Sequence, residues 1–400
     1  MSEATPSEPT PEPGLPRITN IFYERIGGAL VPLAATALAF LIGGLVVLIT
    51  GHNPLTAYRA IFNGTGFNWF FPWVTGDERR IAAKDLQETL RVTTPLILTA
   101  LAVAFAFRAG LFNIGGQGQY WVGFMAALFV GTHLHSLPRP LHVIVGLGAG
   151  IVGGMLWGGI AGFLRATSGA HEVITTIMLN WIAIFGGQYL YELGGPLQGT
   201  NASLPRSDVI DASAKLWVWW GTFPGLHVGI FIAVAALVVY TLILNRTTLG
   251  FGIRAVGFNP DAAAYSGIPV RRNYFLALAI AGGFAGIAGA IDVLGFKYSI
   301  DTSDFGSGIA FTGIAVALLG RNKPVGIFFA ALLFAGLQVG TSSRNLDPAI
   351  FPPELATDLS TMIQALVIFF VAADVLIIYI WRLRRHLKVG RPLKEEPAKT

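Results

Sequence analysis

From residue 27 onward the chain alternates between long apolar runs and short polar joints. A helix that crosses a bilayer needs about 20 mainly apolar residues. Windows of that size fall at 27–49, 88–107, 115–132, 141–164, 173–191, 228–245, 273–294, 307–320, 324–341 and 358–381. The pattern predicts an all-α polytopic membrane protein of about ten transmembrane helices. The eighth run is the shortest, and its flanks, DTSDFGSG and GRNKP, are polar and rich in helix breakers.

Two joints are long enough to hold structure of their own. In 51–87 the segment NPLTAYRAIF predicts a short surface helix. The clusters FNWFFPW there and LWVWWGTFPGL in 192–227 fit the aromatic belt at a membrane interface. Within the fourth run Gly146, Gly150, Gly154, Gly158 and Gly162 recur every four residues, a ridge on which another helix backbone can lie. The seventh run repeats the theme with Gly282, Gly286 and Ala290. The segments 118–131 and 306–320 are alike and lie five runs apart, hence opposite in orientation. Such an inverted repeat is typical of transporter folds.

Composition agrees with the pattern. The chain is 53% hydrophobic and 12% charged, about half the charged share of a soluble domain, with a mean hydropathy of +0.62. The absence of cysteine excludes disulfides, thiolate metal sites and cysteine nucleophiles. Residues 1–25, with SEATPSEPTPEPGLPR, predict a disordered cytoplasmic tail. The membrane region then spans 26–381, and 382–400 form a basic cytoplasmic tail. The net charge of +5 does not indicate a nucleic-acid partner, because seven of the 27 basic residues cluster at 382–399 beside the last run. With the N-terminus cytoplasmic, inside joints carry 17 Lys/Arg and outside joints ten, half of those ten within 51–91. The positive-inside rule therefore places both termini in the cytoplasm.

Candidate chemistry lies in three stretches. FRAGLFNIGGQGQ, 107–119, sets Asn113, Gln117 and Gln119 among close glycines between two apolar runs. It predicts irregular backbone lining a cavity inside the bundle, with Arg108 reaching the inner surface. HEVITTIMLNWIA, 171–183, adds Asn180 two turns into the fifth run, behind a His171–Glu172 pair at the helix start. The four amides are candidates for contact with a neutral polar solute, since they hydrogen-bond without burying charge. HE without HExxH makes no metal site, and no GxxxxGK[ST] occurs, so the chain has no P-loop of its own. Asp292 and Asp374 lie near run ends and are expected to be solvated. An ion-coupled carrier, the competing class, would show carboxylates or histidines at mid-depth. The third stretch is the inside loop 245–273. There NPDAAAYSG predicts a short helix opened by Asn259 or Pro260 and stopped by Gly267. It suits either another protein's groove or the headgroup surface.

Taken in order, FRAGLFNIGGQGQ, HEVITTIMLNWIA and TLGFGIRAVGFNPDAAAYSGIPV resemble the permease subunits of bacterial ABC importers for nucleosides and simple sugars. These belong to the wider group of ribose and branched-chain amino-acid permeases. The resemblance covers about 51–339, and the second motif and the length are similar to the larger permease of nucleoside systems. It implies a type II ABC importer fold in the bacterial plasma membrane, a second permease subunit forming a heterodimer, two cytosolic ABC ATPase subunits and an extracytoplasmic substrate-binding lipoprotein. ATP and Mg would bind the ATPase partners, no cofactor would bind this chain, and membrane lipid would surround it. The solute implied is a nucleoside or related small polar molecule, with a simple sugar as the alternative. The segment 259–267 matches the family's coupling helix, which carries over Gly257, Asn259, Pro260, Ala262, Ala263, Gly267 and Ile268. Two departures stand out: Gln117 replaces the acid of the usual GAEGQ, and His171 replaces an asparagine.

Overall fold

The computed structural model describes residues 17–342 and 352–389, with side chains of the first helix described from Pro32 onward. The helices are α1 (Arg17–Ile49), α2 (Pro54–Gly64), α3 (Gly76–Phe107), α4 (Gly116–His133), α5 (Arg139–Ser168), α6 (Glu172–Tyr191), α7 (Gly229–Arg246), α8 (Thr248–Phe258), α9 (Pro260–Tyr265), α10 (Val270–Asp292), α11 (Ile309–Leu319), α12 (Pro324–Gly340) and α13 (Pro353–Val389). A small antiparallel pair, β1 (Val218–Trp220) and β2 (Leu226–His227), lies in the long joint before α7. Each of the ten apolar runs is helical. Among the described residues, eight helical segments are long and apolar enough to cross a membrane.

The boundaries differ from expectation in instructive places. α1 already runs at Arg17, so helix extends into the segment expected as a tail, and α13 continues to Val389 past the expected end of the last run. Residues 1–16 and 390–400 lie outside the described residues, as does the side chain of Asp374. α11 has 11 residues, about 16 Å of helix, and cannot cross a hydrocarbon core of about 30 Å unaided. It is short because it begins inside the bundle.

The core is a helix sandwich made possible by glycine. α5 packs along α10 and both pack on α4. A methyl group added at Gly154 would overlap the Gly282 carbonyl, and one at Gly286 the Gly150 carbonyl. Gly123 of α4 meets Gly286 in the same way. Backbones this close gain dispersion that larger side chains would prevent. α3 lies on the other side of α10, with Leu96–Ala106 wholly buried between α7, α10, α11 and α12.

Three loops meet at one end. Arg108 Nη2 donates to the Asn322 carbonyl at 2.9 Å, and the Tyr240 hydroxyl donates to the same oxygen at 2.9 Å. A side chain at Gly257 would overlap the Arg108 carbonyl. The joints 108–115, 245–273 and 321–323, assigned to one side by their basic residues, are thus in contact. At the other end the 192–228 joint is clipped over the helix ends, with Asp211 N–H donating to Gly131 O (2.8 Å) and Leu216 N–H to Leu294 O (2.8 Å).

Candidate functional site

α3 ends in a Schellman turn: Gly110, at φ +72°, lets the Leu111 N–H reach back to the Ala106 carbonyl (3.1 Å). The chain then climbs non-helically to Gly116, where α4 starts. The depth of that start follows from its neighbours. Gln119 lies against Gly158, ten residues from the inner end of α5, about 15 Å. Asn180, eight residues into α6, is about 12 Å from its inner end. FRAGLFNIGGQGQ therefore joins the inner surface, at Arg108, to the middle of the bundle.

Irregular backbone at that depth needs internal partners, because water is absent. The amides supply them. Asn180 Oδ1 accepts from the Gly118 N–H (2.7 Å), capping α4, while its Nδ2 donates to the Ile114 carbonyl (3.0 Å). Asn113 and Gln119 pair through both amide ends, Nδ2 to Oε1 at 2.9 Å and Nε2 to Oδ1 at 3.1 Å. Gln117 spans two elements. Its Oε1 accepts from the Ala310 N–H (3.1 Å) and its Nε2 donates to the Ser307 carbonyl. Gln117 thereby caps α11, as Asn180 caps α4. The glycines fit the same tight space: a methyl at Gly115 would press on Thr176, and one at Gly118 on Trp157 and the Asn180 backbone.

α4 and α11 thus start at one point in the bundle and run to opposite ends. These are the two segments whose likeness suggested an inverted repeat. All four predicted amides converge on this junction, and each is buried.

Beside the junction, on the outer side, lies a cavity of about 560 Å³ between α3, α4, α10, α11 and α12. Ser307, Gly308 and Ile309 form part of its lining, so Gln117 holds a piece of its wall from behind. None of the four amides is among its lining residues. The polar groups that do line it include Arg91, Tyr120, Asp292, Lys297, Thr312 and Gln338. Tyr120 Oη donates to Asp292 Oδ2. Arg91 pairs with Glu88 (3.2 Å) and lies over the Phe296 ring, 3.5 Å from its centroid. Lys297 is held by Asp304 at 2.7 Å.

Asp292 corrects the expectation of a solvated run-end carboxylate. It is buried, because the helix continues past it as a π turn, Val293–Lys297, and the 192–228 joint covers that end. Behind the cavity wall, burial and then the Arg91 guanidinium lower the His227 pKa to about 4. His227 is therefore neutral near pH 7, with Nδ1 accepting from the Gly229 N–H at 3.1 Å. Sequence reasoning missed Arg91, Tyr120 and Asp292. The one available signal was Arg91 set early in the second run, three residues after Glu88.

Within the 245–273 loop the NPDAAAYSG segment has the local structure expected of it, while α8 before it is an addition. Asn259 Oδ1 accepts from the N–H groups of Asp261 and Ala262 (both 3.0 Å), Pro260 is the first helical residue, and Gly267 at φ +77° closes a second Schellman turn, Ile268 N–H to Ala263 O at 3.0 Å. Ala263 is buried, while Phe258 and Tyr265 are 94% and 96% exposed. His171 caps α6 through the Val173 N–H (3.4 Å), and Glu172 pairs with Arg165 at 3.5 Å. Among the described residues no cluster of three His, Cys, Asp or Glu offers a metal site.

Comparison with known proteins fits this architecture. The model of the branched-chain amino acid transport system permease component matches residues 86–372. The guanosine ABC transporter permease protein NupP of Bacillus subtilis is 38% identical over 88% of this chain and 95% of its own length. The nucleoside ABC transporter permease protein NupB of Lactococcus lactis is 35% identical over 92% and 98%, and the glucose ABC transporter permease protein TsgB13 of Haloferax volcanii 33% over 85% and 86%. No solved structure matches the chain. With its apolar helices, and α4 and α11 starting together inside the bundle, the chain belongs to this permease family and is a multi-pass membrane subunit of an ABC transport system, a transport component and not an enzyme.

Proposed function

We propose that the chain is the larger of two permease subunits in an importer that carries nucleosides inward, with ATP and Mg bound by separate cytosolic ATPase subunits and solute delivered by an extracytoplasmic binding lipoprotein. The solute class rests on the two relatives named for guanosine and nucleosides, which align with nearly their full length. The glucose relative supports a simple sugar as the second reading.

The observation that carries the route is the 560 Å³ cavity ending at the α4–α11 junction. Its size suits a nucleoside, and its carboxylate, guanidinium, amide and hydroxyl groups offer both donors and acceptors to a base and a ribose. In this reading Thr312, Gln338 and Asp292 touch the solute. Asn113, Gln117, Gln119 and Asn180 act on the route by holding the backbone that floors it. On the cytoplasmic side α9, presenting Tyr265 beside Phe258 at the end of α8, docks on the ATPase. Gly257, seated on Arg108, then passes rigid-body movement of α9 to the segment that leads to Asn113 and the floor.

Uptake of labelled guanosine and glucose by cells carrying the whole transporter tests this. Thr312→Val and Gln338→Leu are expected to raise the nucleoside KM about tenfold or more, as loss of a buried hydrogen-bond partner does, with membrane protein levels unchanged. Unchanged KM in both variants would overturn the cavity as the route, and glucose outcompeting guanosine would transfer the solute to the second reading.

A further inference from the structure

At the inner end of the bundle α1 and α12 do not close on one another. α1 packs along α13, and between Pro32–Thr36 and Val325–Leu333 it leaves a groove of about 550 Å³. The groove opens sideways between the apolar helices α1 and α12. Its walls are hydrocarbon, with Leu33, Val325 and Phe329 at 65%, 69% and 63% exposed. Its inner lip is the α11–α12 turn, which contributes Arg321 and Lys323.

That turn is built firmly. Arg321 and Asn322 both take left-handed φ, 52° and 55°, and the Asn322 carbonyl receives Arg108 Nη2 and the Tyr240 hydroxyl. The two cations therefore stand on a fixed loop and not on a floppy one. Among the described residues the Lys323 ammonium has no acidic partner within ion-pair distance. Positive charge at one end of an otherwise apolar, membrane-facing groove matches an amphiphile with a single anionic head.

We propose that this groove binds an anionic phospholipid of the cytoplasmic leaflet, its acyl chain along Leu33, Val325 and Phe329 and its phosphate at Arg321 and Lys323. The charge rule places this lip on the cytoplasmic side, where anionic headgroups concentrate and where basic pockets between helices select them. The shared phosphate chemistry of a free anion lacks the hydrocarbon that the walls would cover. Because Asn322 also anchors Arg108, the lipid sits one contact from the loop that seats Gly257.

Native mass spectrometry of the delipidated full chain, titrated with dioleoyl phosphatidylglycerol or dioleoyl phosphatidylcholine, tests the proposal. One phosphatidylglycerol is expected to be retained at concentrations at least about tenfold below those needed for phosphatidylcholine. Arg321→Gln/Lys323→Gln should abolish that preference, and the exposed single change Lys323→Gln, which leaves the turn's hydrogen bonds in place, should reduce it severalfold. Phe329→Trp, which fills the groove, should weaken both lipids. Equal retention of the two lipids by the native chain, or a preference that survives in Lys323→Gln and the double variant, overturns the assignment. Displacement by millimolar inorganic phosphate would make the site an anion site, and loss of the lipid on adding the second permease would make it a subunit contact; either result overturns the proposal.

Discussion

The α9 loop and the α4–α11 junction are made from the same residue types, asparagine, glutamine, glycine and small apolar residues, and they do opposite things with them. In α9 the Asn259 amide bonds two and three residues ahead, and the Gly267 turn closes on its own helix. The product is a self-contained knob whose Phe258 and Tyr265 stay in solvent. At the junction the amides reach across the chain: Asn180 to Gly118 and Ile114, Gln117 to Ser307 and Ala310. The product is a broken backbone at mid-depth, stable only when every partner is in place. One region closes on itself and leaves its aromatic rings exposed, the other holds the bundle together around an opening.

The sharpest way to break the contrast is Gln117→Leu. It leaves the buried Ala310 N–H without a partner, at about 1–3 kcal/mol, and removes the donor that holds the Ser307 carbonyl. A large fall in detergent melting temperature is expected, together with loss of uptake. Gln117→Glu keeps an acceptor for Ala310 but as a carboxylate has no donor for Ser307, so its fall should be smaller. Asn259→Ala tests the local design. Loss of one N-cap costs about 1 kcal/mol, confined to α9, and hydrogen exchange should rise there while the global melt barely moves. Tyr265→Ala sits at the small end for stability, within about 0.5 kcal/mol. Yet solute moved per ATP hydrolysed should drop, because the exposed ring is what an ATPase cleft would hold. Comparable melting losses in Gln117→Leu and Tyr265→Ala would erase the distinction between the two regions.

Legibility in the sequence tracked the range of the interactions. Helix position was readable because burial in hydrocarbon demands about 20 apolar residues whatever they pack against. The glycine ridge of α5 was readable as a packing face, though not that α10 would fill it. α9 was readable to within one residue at its start, with Gly267 as its stop, since its hydrogen bonds close within five positions. The polar oddity of FRAGLFNIGGQGQ was visible as well, and so was its place inside the bundle. What the amides bond to was not. Nor was the charge cluster of Arg91, Tyr120 and Asp292, whose members come from α3, α4 and α10. Asp292 looked like a run-end carboxylate, because nothing local records that a distant joint will cover it.

The amino-acid sequence by itself determined the membrane setting, the helical runs, the set of basic joints that share one end of the bundle, and the short helix between Asn259 and Gly267. These follow from transfer to hydrocarbon, the charge asymmetry of the joints and hydrogen bonds between near neighbours, none of which needs a partner far along the chain. Only the tertiary structure decided that α4 and α11 begin back to back at mid-depth, that the conspicuous amides serve the backbone, and that a separate set of residues lines the opening. In a medium without water each broken helix end must be matched by one particular donor or acceptor. Which residue supplies it depends on how the whole bundle closes.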